Sequence, residues 1–225
     1  MRKLFNPKSL RLALVLATSL VVLTACGGMG HTPTRGVYML LDTSGTYTTE
    51  IDKAQQIISY LLTRLKPGDS MAVARIDTAS FSEKDIIAQT TFADRPSVAN
   101  QQKRDFVKQI RHFVDTVHPS AYTDITGGVL QGIGWLNEIN PDQKIILIFS
   151  DLKEDLPKGY VRDVKLNLNG VQVLALNVTK LRSDNVDPHK YLDRVASWKQ
   201  RVEKTGGKWR VINDLQRLEN ILPGD

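Results

Sequence analysis

Cysteine is nearly absent: Cys26 is the single instance in 225 residues. No intrachain disulfide can form, so the fold has to rest on a packed core. Histidine is sparse as well. None of the four has ligand spacing to another, which argues against a zinc site. No apolar run reaches the roughly 20 residues that a mature membrane-spanning helix needs. Internal repeats and low-complexity tracts are also missing. The excess of positive charge is largely local: Lys and Arg number 30 against 24 Asp and Glu, a formal +6. Four of those cations are Arg2, Lys3, Lys8 and Arg11, and without them the count is 26 against 24. That near balance gives no reason to expect a nucleic-acid partner.

The N-terminus carries the pattern of a secretion signal. A positive leader precedes an apolar run from Leu12 to Leu23, broken only by Thr18 and Ser19, and small residues follow it. Leu23-Thr24-Ala25-Cys26 resembles the lipobox of bacterial lipoproteins, in which the chain is cut before the cysteine and its sulfur is acylated. The resemblance implies a removable signal over residues 1–25, lipidation at Cys26, and attachment to the extracytoplasmic face of a membrane. Gly27 stands where an Asp would resemble the inner-membrane retention signal, which favours the periplasmic face of an outer membrane. Residues 26–35 form a lipidated, glycine-rich tether, whose free length has a root-mean-square reach of about 17 Å.

From Gly36 to Asp225, about 190 residues suit one domain. Apolar strands and amphipathic helices alternate. Val37–Leu41, Met71–Ile76, Ile86–Phe92, Ile145–Phe149, Val171–Leu176 and Trp209–Ile212 read as strands. Helical spacing places one helix over Ile51–Leu65, with a cap at Thr48 or Thr49 and a stop at Pro67-Gly68. A second carries Phe106, Ile110, Phe113 and Val117 and stops by Pro119. A third carries Ile125, Val129, Ile133 and Leu136, with glycines at 127, 128, 132 and 134 that allow close approach to a sheet. A fourth starts at an Asp187 cap with Pro188 in its first turn and ends at Gly206-Gly207. Asp214 is expected to cap a final helix with Leu215, Leu218, Ile221 and Leu222. The alternation predicts an α/β fold: a doubly wound, mostly parallel sheet with helices on both faces.

Such sheets bind ligands at the carboxyl ends of their strands. There the sequence puts Asp42-Thr43-Ser44-Gly45-Thr46 after the first strand and Ser150-Asp151 after Ile145–Phe149. Carboxylates and hydroxyls leaving adjacent strand ends supply oxygen donors only, which suits Mg2+ or Mn2+ better than zinc. Both aspartates are expected at a solvent-facing sheet edge.

The chain from about Val37 to Leu222 resembles a von Willebrand factor type A domain, whose metal-ion-dependent adhesion site reads Asp-x-Ser-x-Ser, a distant Thr and a distant Asp. Asp42, Ser44 and Thr46 match the first element, with Thr in place of the last Ser. Thr123 matches the distant Thr, and Asp151 the final Asp. The resemblance implies a divalent ion, Mg2+ or Mn2+, with an open position completed by an Asp or Glu carboxylate of a partner protein. It implies a binding module and no enzyme or small-molecule substrate. Each element also has a plainer explanation: a turn at Asp42–Gly45, a helix cap at Thr123-Asp124, a solvated acidic loop over Asp151–Asp155. The alternative from another class is a haloacid dehalogenase-like phosphohydrolase, with Asp42 as nucleophile and Asp151 and Asp155 binding magnesium. Against it, Ser44 occupies the position of the general acid and cannot protonate a leaving group near neutral pH. A structural lipoprotein with a degenerate site is the remaining alternative.

Overall fold

The computed structural model describes residues 32–222, apart from 46, 78–80, 161, 163, 215–218 and 220. The signal segment, Cys26, Thr46, Leu215 and Leu218 therefore lie outside the described residues.

β1 (Arg35–Asp42) is buried at every position, as its near-continuous apolar run requires of a strand covered on both faces. It sits between β2 (Ser70–Ile76) and β4 (Gln143–Phe149), parallel to both. β5 (Val171–Leu176) and β6 (Lys208–Ile212) extend the parallel sheet beyond β4. β3 (Ile86–Thr91) closes the other edge, antiparallel to β2, with a register shift between Val73 and Ala74. The strand order is β3-β2-β1-β4-β5-β6. The chain winds outward from β1 on one side, then crosses to β4 on the other. The switch point of this doubly wound sheet thus lies between β1 and β4.

Among the described residues four α-helices cover it: α1 (Ile51–Arg64), α2 (Pro96–Thr116), α3 (Ile125–Ile139) and α4 (His189–Lys204). Strand alternation divides the core. Val37, Met39 and Leu41 face a cluster that includes Ile57 and Leu61 of α1 and Phe106 and Ile110 of α2. Tyr38 and Leu40 face the opposite cluster, with Val129 of α3 and Trp198 and Val202 of α4. Ile221 and Leu222 join the first cluster. Among the described residues no helix is long and apolar enough to cross a membrane.

Local details refine the expected boundaries. α1 begins after a 3-10 turn over Thr48–Glu50, and its cap position, Glu50, makes no side-chain capping bond. α4 begins one residue later than expected, with Pro188 in the cap position, while the Asp187 carboxylate accepts the His189 N–H at 3.1 Å. Its end is as expected: Gly206 has φ +88°, and the Gly207 N–H reaches back to the Val202 carbonyl at 3.0 Å, a Schellman closure. Two of the glycines in α3, Gly128 and Gly132, explain close packing. A Cβ on Gly128 would lie 2.7 Å from Leu40 and one on Gly132 2.7 Å from Tyr38, whereas Gly134 has open space beside it.

Candidate functional site

Leu41 of β1 pairs with Phe149 of β4, so Asp42 and the Ser150-Asp151 pair leave the sheet side by side. Neither aspartate lies at a solvent-facing edge. Asp42 is 0% and Asp151 3% exposed, because the segments after β1 and before α3 fold over the strand ends. The Ser120 N–H donates to the Thr43 carbonyl at 2.7 Å, and Ser44 and Ser120 form an isolated parallel bridge. Thr123 exchanges two backbone bonds with Asp155, at 2.7 and 3.0 Å. Three separate loops are thereby stitched into one rim.

The rim encloses a cleft of about 290 Å³ lined by Ser44, Thr123 and Asp151, together with Ser120, Lys153 and Asp155. Asp42 lies beneath it. One Asp42 oxygen accepts the Ser44 N–H at 2.8 Å and the other accepts the Ser150 hydroxyl at 2.6 Å. Burial raises the Asp42 pKa, and these bonds oppose the rise. Asp151 accepts the Lys153 N–H at 2.8 Å. Burial, with the charge of Asp42 adding to it, pushes Asp151 up to about 6, while Arg194 and Lys153 pull against that shift. Neither carboxylate forms an ion pair among the described residues.

The structure thus brings together four of the five residues singled out in the sequence. Ser44, Thr123 and Asp151 line one cleft and Asp42 supports it from below; Thr46 lies outside the described residues. The helix-cap role falls to the neighbour of Thr123: Asp124 accepts the Gly127 N–H at 2.8 Å. Asp124 is fully buried and paired with Arg162, whose Nε lies 3.1 Å away. Thr43, between the two ligand candidates, is engaged elsewhere, its hydroxyl donating to the Ile76 carbonyl at 2.8 Å.

A supporting layer lies beyond reach of the sequence pattern. Ser150, visible there only as a strand-end hydroxyl, bonds Asp42. Arg194 of α4 donates to the Asp151 carbonyl at 2.8 Å, and its guanidinium grips the Asp184 carboxylate at 2.8 and 3.2 Å. Trp198, one turn on, donates to the Leu152 carbonyl at 3.1 Å. Leu152 is 1% exposed with φ +66°, a left-handed conformation that costs a non-glycine residue about 1 kcal/mol or more. Tyr47 and Asn177 join the loop after β1 to the end of β5 through the tyrosine hydroxyl. The Arg194 and Trp198 contacts hold the backbone that presents Asp151.

The donor set has a definite chemical character. Among the described residues no three His, Cys, Asp or Glu side chains converge as a metal group. The cleft instead offers three hydroxyl residues, Ser44, Ser120 and Thr123, and two carboxylates, Asp151 and Asp155, with the Asp42 carboxylate buried next to them. Asp42 and Asp151 both have their proton affinity raised by burial, and the charge of Asp42 adds to the rise at Asp151; a small hard cation relieves the same cost that a proton does.

No family model matches the chain, and no curated protein does. Solved structures do. The chain is similar to the pilus adhesin SpaC from Lactobacillus rhamnosus GG in its open conformation, with a TM-score of 0.53, 11% identity, and coverage of 84% of this chain and 30% of that one. It is also similar to a von Willebrand factor type A protein from Catenulispora acidiphila, with a TM-score of 0.50, 11% identity, and coverage of 84% of this chain and 41% of that one. The chain spans less than half the length of either. At this identity the likeness concerns the fold alone, and that fold is the von Willebrand factor type A arrangement of a doubly wound α/β sheet.

Proposed function

We propose that this protein is a membrane-anchored, extracytoplasmic binding module that docks a protein partner through a divalent metal site. Asp42, Ser44, Thr46, Thr123 and Asp151 would hold the ion, Mg2+ or Mn2+. When bound, it supplies an electrophilic position that an Asp or Glu carboxylate of the partner completes. The observation that carries the reading is the convergence of Ser44, Thr123 and Asp151 on one cleft above a fully buried Asp42. The residues of the chain do the positioning: Ser150 and the Ser44 amide orient Asp42, and Arg194 fixes the backbone of Asp151.

Two further points support binding over phosphoryl transfer. Asp42 is 0% exposed with both oxygens hydrogen-bonded, a poor arrangement for a nucleophile. One of the similar structures is, by name, an adhesin. The anchor rests on the lipobox-like Leu23–Cys26 segment alone, with more than one acyl chain giving stable attachment.

The test is co-purification of the membrane-anchored protein with its partner, in magnesium and in chelator. The reading expects a protein retained in magnesium and released by chelator, and expects Cys26→Ser to leave the membrane fraction. Retention of the same proteins in chelator would refute metal-dependent docking. Unchanged mass and membrane retention of Cys26→Ser would refute the anchor.

A further inference from the structure

The acidic cleft is not the whole of the concavity at this end of the sheet. A second cleft, of about 560 Å³, adjoins it and shares Gly45, Asp151, Lys153 and Leu181 as a common wall. Past that wall a lysine takes the place of Asp155. The second cleft adds Lys180 and the hydroxyl residues Thr49, Thr179 and Ser183, and no acid of its own beyond the shared Asp151.

Lysines on a surface are usually solvated and uncommitted, and two of them alone say little. Their surroundings say more. The arginines close to the site are engaged internally: Arg162 with Asp124, Arg194 with Asp184 and Arg201 with Glu154. Lys153 and Lys180 are exposed and form no ion pair among the described residues. The Lys180 ammonium lies over the Tyr191 ring at 6.0 Å, a contact that leaves its charge unneutralised. The two clefts thus share Asp151 and Lys153, and they differ in that the first adds Asp155 while the second adds Lys180 with hydroxyl donors. A carboxylate accepts hydrogen bonds at both oxygens, and an ammonium flanked by hydroxyls is a donor set suited to it.

We infer that the partner presents two carboxylates, one completing the metal shell and a second seated in the Lys153–Lys180 cleft. The first carboxylate rests on the metal-docking reading above; the second stands on the lysines independently of it. The pair of clefts then selects for an acidic segment, and a partner with one isolated acid, or with a cation beside it, is discriminated against.

The test uses capped glycine peptides, so that no terminal carboxylate intervenes. One peptide carries a single aspartate, and a series carries a second aspartate one, two, three or four residues further along. Binding to the unmutated domain is followed by chemical-shift titration in magnesium and in chelator. At the best spacing the second aspartate tightens binding about fivefold, the scale of exposed charge pairs, and the gain shrinks at high salt. The Lys180→Gln variant loses most of that gain and still binds the single-aspartate peptide in magnesium. The inference is overturned if no spacing tightens binding, or if the gain survives in full in Lys180→Gln. Failure of the metal-docking reading looks different: the single-aspartate peptide then binds equally in magnesium and chelator, while the lysine-dependent gain from the second aspartate persists.

Discussion

The sheet buries carboxylates at both of its ends and uses them in opposite ways. At the amino end Asp69, just ahead of β2, is 3% exposed. Its two oxygens accept the backbone N–H groups of Arg35 and Lys66, each at 2.8 Å, and its charge acts on Lys103. That end is closed: each oxygen takes an amide and a cation stands in its field. At the carboxyl end Asp42 and Asp151 also accept hydrogen bonds, yet burial, with the charge of Asp42 adding to it, drives up the pKa of Asp151. Arg194 and Lys153 offset this only in part, since Asp151 still rises to about 6. A buried aspartate is therefore not a site in itself. What distinguishes the carboxyl end is a pair of buried carboxylates whose proton affinity is raised, and the proposed function gives them a cation.

The sharpest way to break this comparison is to remove the closed end. Asp69→Ala strands the buried amides of Arg35 and Lys66, each worth about 2 kcal/mol when unsatisfied. Denaturant unfolding should show a loss of about 4 kcal/mol, while divalent binding by the surviving native fraction is unchanged. A parallel loss of metal binding would mean that the two ends are not separate.

The open end should show its raised proton affinity as a pH dependence in chelator. Because the native pKa of Asp151 lies at about 6, above the unfolded carboxylate value, the native state keeps a proton between about pH 4 and 6 that the unfolded state has released. The contribution of Asp151 to stability is then present below about pH 4 and falls as pH rises through that window. Unfolding free energies of the unmutated protein minus those of Asp151→Asn should drop by about 2–3 kcal/mol from pH 4 to 7. A difference that stays flat would remove the electrostatic distinction between the ends.

The smallest effect concerns the supporting layer. Arg194→Met frees the Asp151 carbonyl and should weaken Mg2+ or Mn2+ binding about tenfold, the scale of second-layer changes at metal sites, with Arg194→Lys recovering part of it. An unchanged affinity would show that α4 does not position the site.

What the sequence makes legible follows from which signals are local. β1 and β4 can be read because their apolar runs are continuous, and Asp42 and Asp151 because they end those runs on strands that prove to be neighbours. The burial of both aspartates is not legible, since it depends on Ser120 and Thr123 folding back over strand ends that are far away in sequence. Thr123 and Asp124 are equally good caps on paper; only the bond from the Gly127 N–H to Asp124 separates them. Arg194 and Asp184 carry no motif, and Arg194 reaches Asp151 across 43 positions. The left-handed Leu152 goes against every local preference of leucine, and its carbonyl is held by Trp198. The cationic second cleft joins residues from three loops, each with an ordinary turn composition.

The central claim is that the carboxyl end of this sheet holds a divalent cation through Asp151 and its neighbours. Calorimetric titration of Mn2+ and Mg2+ into the protein tests it most directly, with Asp151→Ala and Asp69→Asn side by side. The account predicts one divalent site in the unmutated protein, weakened by at least about 100-fold in Asp151→Ala, in line with loss of a direct ligand. Asp69→Asn should bind with unchanged affinity. No binding by the unmutated protein, or equal binding by Asp151→Ala, would contradict it.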